Sequence, residues 1–334
     1  MPKQFFKKIF FSFGALSLII ASFAIVHPAQ ALTISPVKLE LSGDPGQTIT
    51  SRFDLLNEQN STITFYTSYA NFEAQGETGN PSFTQSNDGL DTWIKAPDQI
   101  VLAPSEKKTV SFSIAIPKNA DPGGHFAAIF FGTAPQNQSG SSQVSIGAKV
   151  GILVLLNVSG AVKQGGGILQ FGINGNNSAV TELPVLFYFR FQNSGGDRVD
   201  PTGDITIKNL FGSTVAKIPA NPTNGNILPN SVRKFYVPWS NDPNQIADPA
   251  AVPHRSFFKA AGYELRDFRF GKYFVSLVLT DQNGKRFAAP FTFYVLPWQL
   301  IVCVIVILAI LFFLLRFFIR KYNRWIISQA QRRK

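Results

Sequence analysis

A Pro-Gly-Gly-His sequence at residues 122–125 is the part of this chain that most resembles a reactive loop. Glycines in front of a helix can cradle a phosphate, and a histidine beside them can act as a base. Here no Lys-Ser or Lys-Thr pair follows the glycines, and the residues after His125 have the pattern of a strand. We therefore interpret Pro122–Gly124 as a turn that feeds a buried strand.

His125 has no sequence neighbour that would give it a catalytic or metal-binding role. After residue 31 the chain has one other histidine, His254, and Cys303 is the sole cysteine. Zinc sites use several His, Cys or carboxylate ligands, and no G-x-S-x-G, H-E-x-x-H or EF-hand pattern is present. The sequence therefore predicts a protein that is not an enzyme and that has no catalytic residue, bound metal or cofactor.

Three residues are the candidates for contact with a ligand: Trp93, His125 and Trp239. An indole ring can stack on a sugar or anchor a partner protein, because it offers a large contact area at little entropic cost. A tryptophan in a β protein is more often part of the core, and we favour that alternative for both tryptophans. A structural or solvated His125 is favoured in the same way.

The N-terminal residues 1–31 have the pattern of a secretory signal peptide. Lys3, Lys7 and Lys8 precede an apolar stretch, and Ala29-Gln30-Ala31 has the small-x-small form of a cleavage site. The sequence predicts cleavage after Ala31, with an uncleaved anchor as the alternative.

The C-terminal residues predict a membrane anchor over 298–319, which reaches the roughly 20 residues that a bilayer core requires. Trp298 stands at one membrane interface, and Arg316, Arg320 and Lys321 stand at the other. The tail at 320–334 is basic, which places it in the cytoplasm. We expect a single-pass type I protein of the cell membrane, with the residues between the signal and the anchor outside.

This topology also explains the net charge of +11. Of 31 Lys and Arg, three lie in the signal and seven in the C-terminal segment, which leaves 21 in the exported part against all 20 acidic residues. A nearly neutral exported part offers no basic stripe to a polyanion, so we predict no nucleic-acid partner.

Between signal and anchor the apolar residues recur at every second position. Val110, Phe112 and Ile114 alternate with polar residues, and Tyr273–Leu279 repeats the pattern. The fold class predicted is all-β, with two immunoglobulin-like β-sandwich domains over 32–162 and 168–296 followed by a single transmembrane helix. Lys163–Gly167 offers a flexible break between them.

Matching segments in the two halves support two domains of one kind. Arg52–Asn57 corresponds to Tyr188–Asn193, Ala103–Phe112 to Leu228–Val237, and Gly123–Phe130 to Phe270–Leu277. The second half has an insertion at 239–269, in which Phe257, Phe258, Ala261, Leu265 and Phe268 recur at helical spacing. We expect a short amphipathic helix there, either as a lid or as a docking surface.

Several turn motifs resemble those of the WxL-interacting family of bacterial cell-surface proteins. They are Ile34-Ser-Pro36, Asp44-Pro-Gly-Gln47, Asn57, Leu102-Ala-Pro-Ser105 and Asp121-Pro-Gly-Gly124, and the order of signal, two β domains, anchor and basic tail is also similar. The resemblance implies peptidoglycan binding by the first domain and capture of a surface protein by the second.

The function predicted is therefore a membrane-anchored extracellular binding or scaffold protein whose partners are cell-wall glycan, a surface protein, or both. The alternative is an assembly or secretion chaperone that acts by β-strand complementation, because a sandwich edge can accept or supply a strand. For that alternative, Arg190 and Lys234 are the candidate cationic pair.

Overall fold

A computed structural model describes residues 32–85, 88–134, 149–175, 179–181, 183–240 and 256–331. The predicted signal peptide with Ala29 and Ala31, residues 241–255 with His254, and the last three residues lie outside the described residues. The chain divides into two compact units. The first comprises the chain up to Phe72 with Phe83–Asp121 and His125–Ser159, and the second comprises Glu73–Ser82, Pro122–Gly124 and the chain from Gly160 onward.

The alternating sequences form strands, and the first ten strands build two sheets. Their bounds are β1 Leu32–Ser35, β2 Lys38–Gly43, β3 Thr48–Asn57, β4 Ile63–Gln75, β5 Asn80–Thr84, β6 Ile94–Lys95, β7 Gln99–Leu102, β8 Lys107–Ala115, β9 Gly123–Gly132 and β10 Lys149–Val158. One sheet has the order β1-β3-β8-β6, and the other has the order β2-β10-β9-β4-β5, with β7 also paired to β4. β2 runs parallel to β10.

Eight further strands build two sheets in the second unit. Their bounds are β11 Gly166–Ile173, β12 Ala179–Val180, β13 Val185–Asn193, β14 Thr202–Lys208, β15 Thr214–Pro219, β16 Ser231–Trp239, β17 Gly271–Thr280 and β18 Arg286–Val295. The sheet orders are β11-β13-β16 and β12-β18-β17-β14-β15, and β12 runs parallel to β18. The sheet β11-β13-β16 repeats the order β1-β3-β8, and the sheet β12-β18-β17-β14-β15 repeats the order β2-β10-β9-β4-β5. The two units therefore share one topology.

The internal repeat found in the sequence corresponds to matching local geometry. Asn57 and Asn193 end equivalent strands, and both side chains are fully buried. Ser105 and Asn230 both have a left-handed backbone, with φ of 58° and 53°, one residue after the matching prolines.

In each unit the two sheets pack face to face around an apolar core. Phe53 of one sheet meets Phe131 of the other with ring centroids 5.2 Å apart, and Phe187 meets Phe293 at 5.8 Å. The residues of β8 predicted to point inward, Val110, Phe112 and Ile114, are all buried. The prediction of a mostly β chain is therefore confirmed.

Three helices complete the described structure: α1 Leu90–Trp93, α2 Phe257–Arg266 and α3 Trp298–Gln331. α3 is long and apolar enough to cross a membrane over Trp298–Ile327. It begins where the sequence predicts and continues past residue 319, so that Arg320 and Lys321 lie on the helix, as Arg316 does.

α2 forms where the sequence predicts a helix, but of the five residues predicted to form its apolar face only Ala261 is buried and Phe257 is half-buried. Phe258, Leu265 and Phe268, which we expected to share an apolar face, are exposed. The buried residues of this helix are Ala260, Ala261 and Glu264, and the Glu264 carboxylate accepts a hydrogen bond from the backbone N–H of Leu300 in α3.

Candidate functional site

The structure brings together two of the three residues predicted to contact a ligand. The rings of Trp93 and His125 have centroids 4.7 Å apart and planes inclined by 49°. Nε2 of His125 lies 2.8 Å from the carbonyl oxygen of Asp121, so the imidazole is fixed by its own turn. Both side chains are half-buried, and Trp93 also packs against the core of the first unit.

Asn71 holds α1 and therefore Trp93 in place. Its Oδ1 accepts a hydrogen bond from the backbone N–H of Asp91 at 3.0 Å, and its Nδ2 donates to the carbonyl of Asp88 at 3.0 Å. Gly89 lies so close that an added Cβ would stand 2.4 Å from Nδ2 of Asn71. The backbone φ of 118° at this position, together with the close approach of Asn71, favours glycine.

Trp239 has the surroundings of a core residue. It ends β16 with 3% of its surface exposed, and its ring contacts Tyr273 and Phe293 with centroid distances of 5.6 and 6.1 Å. Arg269 lies over the ring at 5.3 Å. These contacts agree with the core interpretation that we favoured for this tryptophan.

Arg190 and Lys234 are direct neighbours across β13 and β16. Both residues already bind Glu77 of the same protein. Glu77 belongs to the same unit and receives two hydrogen bonds from the Arg190 guanidinium, of which Nε to Oε2 measures 2.8 Å. The backbone N–H of Lys234 donates to the carbonyl of Glu77 at 2.8 Å. The side-chain ammonium of Lys234 lies 4.4 Å from the ring centre of Tyr188. This cationic pair therefore stabilises the fold of the second unit.

The ion pair makes the stability of the second unit depend on pH. The hydrogen bond from Arg190 lowers the pKa of Glu77 below its ordinary value of 4.5, and the charge of Lys234 acts in the same direction. A group with a lowered pKa in the folded state stabilises it fully above the ordinary pKa, and this contribution disappears as the pH falls through the folded-state pKa.

Glu77→Gln should therefore lower the urea midpoint of the second unit at pH 7, and the difference from the wild type should shrink and disappear as the pH falls through the lowered pKa of Glu77. Glu73→Gln changes an exposed carboxylate on the same hairpin and serves as the control. An equal loss at pH 7 in both variants would contradict a specific role for Glu77.

The feature with the clearest capacity to bind a partner is an open edge of β3 in the first unit. β8 pairs with β3 from Thr48 to Leu56 on one side, whereas β1 covers only Asp54–Asn57 on the other. Among the residues that the structure describes, no strand pairs with Thr48–Phe53 on that second side. In the second unit, by contrast, β11 covers β13 from Phe187 to Asn193.

Two hydrogen bonds show which backbone groups point into the open edge. The N–H of Asn57 donates to the carbonyl of Glu106, and the carbonyl of Gln47 accepts from the N–H of Ile116. The backbone N–H and C=O groups of the odd-numbered residues of β3 therefore point toward β8. Because N–H and C=O groups alternate sides along an antiparallel strand, those of Thr48, Thr50 and Arg52 point to the open side. Three donors and three acceptors are thus aligned there.

A depression of about 370 Å³ lies at the point where β1 ends and the open edge begins. Ser35, Pro36, Arg52, Phe53, Asp54 and Thr109 line it. Asp54 is already paired, since it accepts a hydrogen bond from the Thr109 hydroxyl at 2.7 Å and contacts the Lys107 ammonium at 2.9 Å. The hydrogen bond from Thr109 is the main cause that lowers the pKa of Asp54, and the hydrogen bond from Lys107 lowers it further.

The open edge of β3 is not among the sites predicted from the sequence. Alternation predicts that β3 is a strand but says nothing of how far β1 follows it. The available signal was Pro36, which interrupts the alternation after only four residues of strand. In the described part of the chain no group of three or more His, Cys, Asp and Glu is arranged to hold a metal ion.

Comparison with known proteins gives matches among solved structures alone, since no family model and no curated protein matches the chain. The class 5 fimbriae chaperone CfaA has 11% identity and a TM-score of 0.37, and the match covers 80% of this chain and 100% of that one. A chain from the complex of Salmonella enterica SafA pilin with the SafB chaperone has 10% identity and a TM-score of 0.35, and the match covers 81% of this chain and 99% of that one. The E. coli chaperone DraB has 11% identity and a TM-score of 0.33, and the match covers 79% of this chain and 97% of that one. With TM-scores this low, the ligand of this chain has to be inferred from its own geometry.

Proposed function

We propose that the protein is a membrane-anchored, extracytoplasmic binding protein of two immunoglobulin-like domains that captures an extended segment of a partner protein at the open edge of β3. The supporting observation is the row of unpaired main-chain groups at Thr48, Thr50 and Arg52. This is the assembly or secretion chaperone alternative, in which the partner supplies the missing strand. Binding of glycan at Trp93 and His125, and membership of the WxL-interacting family, stay predictions.

Main-chain hydrogen bonds would supply the affinity. An extended peptide beside Thr48–Phe53 can form up to six of them, each contributing about 0.5–1.5 kcal/mol net before the cost of ordering the peptide. The resulting affinity is modest. Anchoring through α3 raises the local concentration of the binding edge near the membrane, which makes a weak site effective.

The depression beside the edge would supply selectivity. Alternate side chains of an added strand point to the two faces of the sheet, so one set would face the depression at Pro36 and Phe53. A small or apolar side chain fits there, because Asp54 is already satisfied by Thr109 and Lys107. We therefore expect partners with an alternating segment of about six residues.

The proposal is tested by selecting 12-residue phage-displayed peptides on the full chain in lipid nanodiscs and measuring their dissociation constants. Thr50→Pro removes one N–H that points to the open side and leaves the β3–β8 pairing groups in place, so it should weaken binding at least about tenfold. Thr50→Ala retains the N–H and should bind within about threefold of the wild type, since the recognition is by backbone.

Both variants must first show the thermal unfolding of the wild type. Peptides that bind the Thr50→Pro variant as tightly as the wild type would contradict the proposal. So would peptides that lose binding with Thr50→Ala alone, because side-chain recognition would then be responsible.

A further inference from the structure

One end of the second unit collects exposed apolar side chains around the point where the chain enters α3. β18 ends at Val295, three residues before α3 begins, and its partner β17 begins at Gly271. Lys208 pairs with Phe274, so the β14–β15 turn at 209–213 lies at the same end of this sheet. The β17–β18 turn at 281–285 lies at the opposite end.

The β14–β15 turn presents two apolar residues to the solvent. Phe211 is 89% exposed and Leu210 is 61% exposed. The turn is well defined, because Oδ1 of Asn209 accepts hydrogen bonds from the N–H groups of Phe211 and Ser213 at 3.1 and 3.0 Å. Neighbouring apolar side chains exposed on a fixed turn are typical of a surface that contacts a membrane or another protein.

α2 is fastened to the first turn of α3. The Glu264 carboxylate, 3% exposed, accepts a hydrogen bond from the backbone N–H of Leu300 at 2.6 Å. The first N–H groups of a helix lack partners within the helix, and the positive end of its dipole favours a carboxylate. The ring of Phe257 also meets that of Trp298 at 5.7 Å. α2 is therefore held within one turn of the start of the apolar helix.

The outer face of α2 is apolar with a basic border. Phe258 and Leu265, seven residues apart, lie on one stripe and are 80% and 66% exposed. Phe268 continues this surface beyond the end of the helix with 59% exposure. Lys259 and Arg266 lie beside the stripe and are exposed as well. Helices of this pattern lie in the headgroup region of a bilayer, with the basic residues toward phosphate groups.

We propose that this end of the second unit rests on the outer membrane leaflet, with the β14–β15 turn and the outer face of α2 immersed in the headgroup region. The inference rests on α3 crossing the bilayer, as proposed above. Lipid is the occupant that the geometry favours, because the exposed apolar residues come from two separate elements and both lie at the end from which the membrane helix leaves the unit.

The test is nitroxide depth measurement on the full chain in nanodiscs of phosphatidylcholine with or without phosphatidylglycerol. Single cysteines replace Phe211, Phe258 or, as the control at the opposite end of the sheet, Asn283, each in a Cys303→Ser background. We expect nitroxides at 211 and 258 to gain accessibility to oxygen and lose accessibility to a water-soluble nickel chelate, relative to 283. The anionic lipid should increase both changes, because the exposed Lys259 attracts it, whereas Arg266 is already paired with the Asp267 carboxylate at 3.1 Å.

A nitroxide on the native Cys303 separates failure of this proposal from failure of membrane insertion. If 303 is immersed but 211 and 258 are as accessible to nickel as 283, the proposal is wrong. If 211 and 258 are shielded from both oxygen and nickel, a protein surface or a second copy covers them, and the lipid proposal is overturned equally.

Discussion

Replacing Asn57 by Ala is expected to lower the free energy of unfolding of the first unit by about 3 kcal/mol. The amide of Asn57 donates to the carbonyls of Ser61, Leu102 and Ala103 at 2.9, 3.2 and 3.0 Å, and its Oδ1 accepts from the N–H of Gln59 at 3.0 Å. The side chain is fully buried, so water cannot replace these bonds without opening the loop. Urea denaturation with hydrogen exchange resolved by unit measures the loss.

The equivalent substitution Asn193→Ala should destabilise the second unit instead. Asn193 donates to the carbonyls of Asp197 and Ile227 at 2.7 and 2.9 Å and accepts from the N–H of Gly195 at 2.9 Å. Asn209→Ala is the matched control, because that asparagine also bonds to backbone but in an exposed turn. If Asn57→Ala and Asn193→Ala cost no more than this control, the buried amides are not needed to join strand and loop.

Trp239→Ala should lower the free energy of unfolding of the second unit by about 3–5 kcal/mol. The substitution removes a buried ring that contacts Tyr273 and Phe293 and lies beneath the guanidinium of Arg269. A cavity would remain among these rings, because strands β16, β17 and β18 cannot close around it. The measurement is again urea denaturation of the full chain, with the first unit as the internal reference.

Trp239→Phe separates packing from recognition. A phenyl ring fills most of the space, so we expect it to restore a large part of the lost stability. A Trp239→Ala variant that unfolds like the wild type yet loses a binding activity would instead identify Trp239 as a ligand contact. That outcome would contradict the core interpretation given above.

The parts of the fold that could be predicted from the sequence are those that local pattern determines. Alternation locates strands such as β8, because one face of each strand must be buried. The matching strand ends at Asn57 and Asn193 follow from residue identity, since a short amide can bond to neighbouring backbone. The apolar run fixes the start of α3 at Trp298.

The parts that could not be predicted depend on contacts between distant segments. The spacing of Phe258 and Leu265 predicts a helix but does not show which stripe meets protein, and here Glu264 faces inward because it reaches the backbone of α3. The neutralisation of Arg190 by Glu77 joins residues 113 positions apart. The open edge of β3 arises because β1 stops pairing with β3 at Ser35, and the chain then continues as β2 in the other sheet.

That open edge has a consequence for how the protein could change over evolutionary time. The groups offered to a partner at Thr48, Thr50 and Arg52 belong to the main chain, and every amino acid except proline carries both of them. The side chains of Thr48 and Thr50, which do not line the depression, are therefore free to vary while the site persists, provided that β1 stays short. Relatives with the same activity can then share strand lengths and have little sequence in common, so searches that weigh strand length should find them more readily than searches for conserved residues.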